Sequence, residues 1–228
     1  AFDTLMNSCS VACYDSHRKQ SFSQCIEMDR GHAEHLVPMI EGVILKAGWE
    51  YDDLDLVGVT TGPGAFTSLR IGLSTAKALS LSLDIPVFGL TSFDMMYQFF
   101  IQHYDFKNGV TAILLETKRE DYYVSLYSSK NKLLTMDIKK SQEAIELIEE
   151  NSAINIVGNA VNRFKDDVNN NRHLNFYNMT EIQKIDIKWL AKQFGDFNKN
   201  RILDISPLYL RNADVSFSKK KQRKLNKF

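Results

Sequence analysis

Residues 54 to 83 read LDLVGVTTGPGAFTSLRIGLSTAKALSLSL, and this stretch restricts the fold more than any other. LDLVGVTT (54–61) is a Val-rich run bounded by a turn, the pattern of a strand buried on both faces. A Gly-Pro-Gly turn ends it, and a helix from Ser68 to Leu83 follows. A strand buried on both faces and followed by a turn and a helix fits an α/β architecture. The chain is therefore expected to be α/β.

The rest of the sequence repeats that unit. The first half reads as strand (1–4), turn (5–8), strand (9–14) and a third strand around Lys19 to Glu27. A helix at His32–Ala47 follows, with Leu36, Ile40, Val43, Ile44 and Ala47 at i, i+4, i+7, i+8 and i+11, one apolar stripe. Gly48 suits the residue after its end. IPVFGL (85–90) reads as a short strand. The second half opens near Gly109 with VTAILLET (110–117), pairs it through KREDY with YYVSLYSS (122–129), and adds LLTMDIKK (133–140). A helix (141–150), the strand INIVGNAV (154–161), a Gly turn and a helix near Ile185 to Phe194 complete it. The two halves share one order, which points to a duplicated architecture with a cleft between lobes at 1–105 and 106–213. AFDT reads as the end of a buried strand, so a natural start upstream of Ala1 is expected.

The 228 residues carry no net charge, but six Lys or Arg lie in the last eleven residues, SKKKQRKLNKF, without an acid. That leaves 22 bases against 28 acids in residues 1–217. A mildly acidic body is a poor match for a nucleic-acid backbone over a broad surface. The basic stretch, 214–228, reads as a solvated tail, with RNA or an acidic partner as the other reading. Three cysteines, Cys9, Cys13 and Cys25, form no CxxC pair and argue against a disulfide framework or a structural zinc site. Cys9, Val11 and Cys13 would share one buried face of a strand. No apolar run nears 18 residues and no secretory segment is apparent, which suits a cytoplasmic protein without a membrane span.

The Gly-Pro-Gly turn has three chemical readings. It lacks the Lys of a phosphate-cradling P-loop, and Thr67 stands where a dinucleotide fingerprint needs its third glycine. A general anion site at the helix start remains, with Thr67 or Ser68 capping and Arg70 adding charge. The competing reading is that the glycines serve only to reverse the chain, with Arg70 paired to a carboxylate. Along the helix, Gly72, Ala76 and Ser80 recur every four residues, as do Leu69 and Leu73. Such a small-residue row lets another helix, internal or from a partner, approach closely.

At this point the run TTGPGAFTSLRIGLSTAKALSLSLDIPVFGLTSFDMM strongly resembles the TsaB (YeaZ) family of bacterial proteins for threonylcarbamoyladenosine synthesis in tRNA. AFDTLMNSCSVACYD, GHAEHLVPMIEGVI, LLETKREDYYVSLY, IVGNA and SPLYLRNAD agree in order, over residues 1 to 213. The resemblance implies an actin-like ATPase fold of two duplicated βββαβα subdomains. It implies a non-catalytic subunit that binds and supports the related catalytic subunit TsaD, together with TsaE, in modifying ANN-decoding tRNAs. Contact with TsaD through the two N-terminal helices is implied, on His32, Leu36, Ile40 and Val43 of one and Leu69, Gly72, Leu73, Ala76 and Ser80 of the other. A homodimer through the same helices is implied for the chain alone, with tRNA met only through the complex. The catalytic relative has two metal-binding histidines four apart; the matching positions here are Ser92 and Met96, so no metal site and no catalytic residue is expected. His32 and His35, at i, i+3 in GHAEH, offer no third ligand. Asp3 and Thr4 fall where actin-like folds place a first phosphate loop, and with Gly62, Gly64, Thr67 and Arg70 they are the candidate phosphate-binding residues. No intrinsic cofactor is expected, and ATP or ADP would sit at the interface with the catalytic subunit. The alternative is an actin-like ATP-dependent enzyme, or a glycoprotease-like peptidase, acting alone.

Overall fold

A computed structural model describes the chain except residues 6, 118, 131, 169–172, 180–186, 197–204 and 212–228. The basic tail therefore lies outside the described residues. Two five-stranded sheets form the frame. The first contains β1 (Phe2–Asp3), β2 (Ser8–Asp15), β3 (Gln20–Glu27), β4 (Val57–Thr60) and β5 (Val87–Leu90), in the order β3-β2-β1-β4-β5. The second contains β6 (Val110–Glu116), β7 (Tyr122–Tyr127), β8 (Leu133–Lys139), β9 (Ala153–Gly158) and β10 (Asn175–Asn178), in the order β10-β9-β6-β7-β8. Read from the opposite edge, the second order is the first one repeated. In each sheet the first three strands are antiparallel and the last two join in parallel.

The helices are α1 (His32–Ala47), α2 (Phe66–Leu83), α3 (Ser92–His103), α4 (Ser141–Glu150), α5 (Val161–Asp167) and α6 (Ile187–Asp196). Each half thus runs βββαβαβα: the first adds α3 to the elements expected from the sequence, and the second adds α5 and β10. The strand expected at 154–161 stops at Gly158, where the chain turns with φ +138°, and Val161 opens α5 instead. α1 has the bounds expected. Its stripe of Leu36, Ile40, Val43 and Ile44 is buried, and Gly48 adopts the left-handed conformation at φ 72° while donating its N–H to Leu45.

Cys9, Val11 and Cys13 join Leu36, Ile40, Val43, Leu69, Leu73 and Ala76 in one apolar cluster between sheet one and the pair α1–α2. Ala12 and Phe88, on the opposite face, meet Ile187, Leu190 and Phe194 of α6. The boundary at 105/106 accordingly separates the sheets but not their helices. α6, from the second half, seals the first sheet, because Gly58 leaves a space into which the Phe194 ring fits. α3, from the first half, places Phe93, Met96, Tyr97 and Phe100 against Ile113, Leu115, Tyr127 and Val157 of the second sheet. Each lobe is closed by a helix from the other.

Candidate partner helices and the interlobe cleft

The residues singled out on α1 and α2 face inward. Leu36, Ile40, Val43, Leu69, Leu73 and Ala76 are all buried in this chain's own core and offer no surface to a partner. The row Gly72, Ala76, Ser80 was expected to seat another helix; it seats α2 on the sheet. A Cβ on Gly72 would lie 2.7 Å from Thr4 Oγ1 and 3.7 Å from Val59, so the missing side chain is what lets the helix approach β1 and β4. Ser80 donates to the Ile85 carbonyl at 2.5 Å and closes the helix C-terminus. His32 is buried and its Nε2–H donates to the Ser8 carbonyl at 3.2 Å, while His35 is exposed and bonds the Gly31 carbonyl. The correction has a simple cause: periodicity finds an apolar stripe but not what covers it.

The outward faces carry a different set. Val37 is 52% exposed and Leu45 68% exposed on α1, and Leu81 is 86% exposed on α2. Glu34 and Glu41 flank the first pair, and Arg70 and Lys77 precede Leu81 on its helix; all four are exposed. Each of these aliphatic side chains has apolar area to gain from being covered. Between the C-terminus of α1 and the following turn, Ile44, Leu45, Trp49 and Tyr51 line a shallow groove rimmed by Glu41, Glu50 and Asp52.

The candidate phosphate residues are not brought together as an open cradle. Both Asp3 carboxylate oxygens are engaged, one by the Thr60 hydroxyl and the other by the Leu5 N–H at 3.3 Å. The Thr4 hydroxyl donates to the Ser68 carbonyl at 2.8 Å. The Leu5 side chain fills the space beside Gly64, and the Leu208 carbonyl lies 3.0 Å from where a Cβ of Gly62 would be. Thr67 and Arg70 lie on the exposed side of α2. Neither Thr67 nor Ser68 caps the helix: the cap is Ala65, and the Ser68 hydroxyl donates to the Ala65 carbonyl. Arg70 lies 4.0 Å over the Phe66 ring and donates through Nε to the Tyr209 hydroxyl, rather than pairing with a carboxylate through that nitrogen.

The second lobe repeats the same device. Its first strand ends in Glu116-Thr117 as the first lobe's ends in Asp3-Thr4, and here too the groups are held. Glu116 pairs with Arg163 at 3.0 Å, yet burial is the larger influence and raises its carboxyl above the usual range. The Thr117 hydroxyl accepts from the Arg119 N–H and sits 2.7 Å from Asp121 Oδ1. Arg163 also spans the carbonyls of Arg119 and Asp121 and lies 3.9 Å over the Tyr122 ring. Desolvation, with a hydrogen bond to Asp167, pushes the Tyr122 phenol up. Sequence reasoning missed this network; the LLET of 114–117 beside the AFDT of 1–4 was the signal for it.

Ser92 and Met96, the positions matching the catalytic relative's histidines, lie one turn apart on α3 and are buried. The Ser92 hydroxyl donates to the Pro63 carbonyl at 3.1 Å and Met96 packs in the aromatic cluster, so neither fits a metal centre. Among the described residues no three His, Cys, Asp or Glu side chains group as metal ligands.

Two duplicated lobes, each with three antiparallel strands, two parallel ones and exchanged closing helices, define an actin-like ATPase fold. The solved structure of YeaZ from Pseudomonas aeruginosa superposes with a TM-score of 0.64 at 19% identity, covering 92% of this chain and 97% of that one. The family model described as "TsaD: tRNA N6-adenosine threonylcarbamoyltransferase" matches residues 26–228, basic tail included, whereas the resemblance read from the sequence ended at 213. Proteins named "tRNA threonylcarbamoyladenosine biosynthesis protein TsaB" are similar too. That of Buchnera aphidicola subsp. Acyrthosiphon pisum is 29% identical over 150 residues, 66% of each chain. That of Escherichia coli K12 is 31% identical over 115 residues, 50% of this chain and 47% of that protein. The chain belongs to the TsaD family, in the TsaB (YeaZ) group that these relatives represent. The matched stretches span about two thirds of the Buchnera protein and about half of the Escherichia coli one.

Proposed function

We propose that the protein is a supporting, non-catalytic subunit of the assembly that installs threonylcarbamoyladenosine in tRNA. Its partner is the family's catalytic transferase, TsaD, met through the outward faces of α1 and α2. The observation that carries this reading is the set of exposed aliphatic side chains, Val37, Leu45 and Leu81, on two helices whose inward faces are already spent on the core. Acidic groups on α1 and basic groups on α2 give that surface a polarity, which orients a partner and speeds encounter. The same surface would pair two copies of the chain when the transferase is absent, so the homodimer and the mixed complex compete. TsaE joins the assembly through the transferase, tRNA is reached only through the complex, and ATP or ADP sits at the interface with the transferase. The engaged state of Asp3, Thr4 and Glu116 supports a chain that supplies shape rather than phosphate chemistry. Among the described residues no helix is long and apolar enough to cross a membrane.

The test uses Leu45→Glu and Leu81→Glu. Both side chains are solvent-exposed, so circular dichroism and thermal midpoint should stay near wild type. Affinity for the cognate transferase, measured by titration calorimetry, should fall at least about tenfold in the double variant, equal to about 1.4 kcal/mol. A folded double variant that binds at wild-type strength refutes the assignment.

A further inference from the structure

Residues Ile205–Arg211 lie outside every helix and strand, yet they are held at both ends. Ile205 packs against the core under α1 and α2. The Leu208 N–H donates to the Thr61 carbonyl at 2.8 Å, immediately before the Gly-Pro-Gly turn. The Leu208 carbonyl abuts Gly62 closely enough that only a residue without a side chain suits that place, where φ is +103°. Tyr209 packs against Phe66 as a tilted ring pair with centroids 5.1 Å apart, and its hydroxyl accepts from Arg70. These four contacts belong to the first lobe. Leu208 and Leu210 also pack into the aromatic cluster that α3 makes with the second sheet. Arg211 then forms an ion pair with Asp121 in the β6–β7 hairpin, with both side chains largely withdrawn from solvent.

We infer that Ile205–Arg211 is a strap that runs from Gly62 of the first lobe to Asp121 of the second and fixes the angle between the lobes. Two-lobed folds can rotate about the segments that join their lobes, and the space between lobes is where ligands enter and drive closure. Here an opening rotation must break either the backbone bond to Thr61 or the Arg211–Asp121 pair. Losing one member of a half-buried ion pair leaves the other charge poorly solvated, so the pair resists opening. The strap ties the two lobes together, and they move as one body. Such a chain presents a constant surface to whatever it binds. The inference stands on these contacts alone and does not depend on the partner proposed above.

The experiment is electron–electron distance measurement between spin labels at His17 and Glu149, one exposed site on each lobe, in a Cys25→Ser background. The wild-type strap predicts one narrow distance distribution. The Tyr209→Ala/Arg211→Ala variant should add a longer, broad population. The exchanged pair Arg211→Asp/Asp121→Arg should return a single narrow distribution while Arg211→Asp alone does not. A folded Tyr209→Ala/Arg211→Ala protein with the unchanged single distribution overturns the inference. Should that variant fail to fold, hydrogen exchange on the wild type decides. The strap predicts a Leu208 amide protected at least about 100-fold over a free peptide; exchange at the free-peptide rate overturns it.

Discussion

Gly42 and Gly72 sit inside neighbouring helices, and replacing each with alanine should change stability in opposite directions. In an open helix interior the substitution stabilises by about 0.5–1 kcal/mol, because glycine loses more backbone freedom on folding. Gly42 meets that condition: the nearest atom to an added Cβ is the flexible end of Gln24 at 3.6 Å, an ordinary contact. At Gly72 the added carbon lies 2.7 Å from Thr4 Oγ1, whose hydroxyl is buried and donates to Ser68. Overpacking costs about 1–3 kcal/mol, and displacing the hydroxyl from its partner costs about 1 kcal/mol more. Subtracting the helix gain leaves Gly72→Ala about 1–3 kcal/mol less stable than wild type. Urea unfolding followed by far-UV circular dichroism reads both: the midpoint rises for Gly42→Ala and falls for Gly72→Ala. A midpoint that rises for Gly72→Ala would mean the small-residue face of α2 is not seated on β1 and β4.

Three further outcomes follow from the packing. Burial, with the nearby Asp3 charge, raises the Cys9 thiol from 9.0 to about 12, and burial raises Cys13 as well. At pH 8 only Cys25 should react with a chromogenic disulfide in the native protein, and all three thiols in urea. Because the folded value of Cys9 is the higher one, its contribution to stability is complete below pH 9 and is lost as pH rises towards 12, with unfolding midpoints falling across that window. Phe194→Ala should cost about 3–5 kcal/mol by removing a fully buried ring from the space over Gly58, read as a lowered thermal midpoint. Gly158→Ala places a Cβ 1.9 Å from the Leu114 carbonyl at φ +138°; it should lose about 3 kcal/mol or more and express as insoluble protein.

The parts of the fold legible in the sequence are those where one local signal dominates. The stripe of α1 and its terminal Gly48 fixed that helix to the residue, and the apolar run at 54–61 marked β4 as a strand buried on both faces. α3 was missed because Phe93, Met95, Met96, Tyr97, Phe99, Phe100 and Ile101 crowd a single narrow polar row, Asp94, Gln98 and Gln102, which alone carries the helical period. Its start was nonetheless written in T-S-F-D, where the Thr91 hydroxyl accepts from the Asp94 N–H. β10 is a short polar edge strand and α5 is seven residues long, too little for either period to register. The exchange of α3 and α6 between lobes was beyond reach, since it depends on Gly58 and Phe194 meeting across 136 residues of sequence. For the candidate site, most of the residues singled out on α1 and α2 are inward-facing ones, buried in the chain's own core. A row of small residues permits close approach without saying whether a strand of the same chain or a helix of another takes the place.

The measurement that tests the central claim most directly is threonylcarbamoyl transfer to tRNA from threonylcarbamoyl adenylate. It would be run with this protein alone, with the cognate transferase alone, and with both. The account predicts no product from this protein alone, and a rate for the pair well above that of the transferase, abolished by Leu45→Glu/Leu81→Glu. Product formed by this protein alone, or a transferase rate unchanged by adding it, would contradict the account.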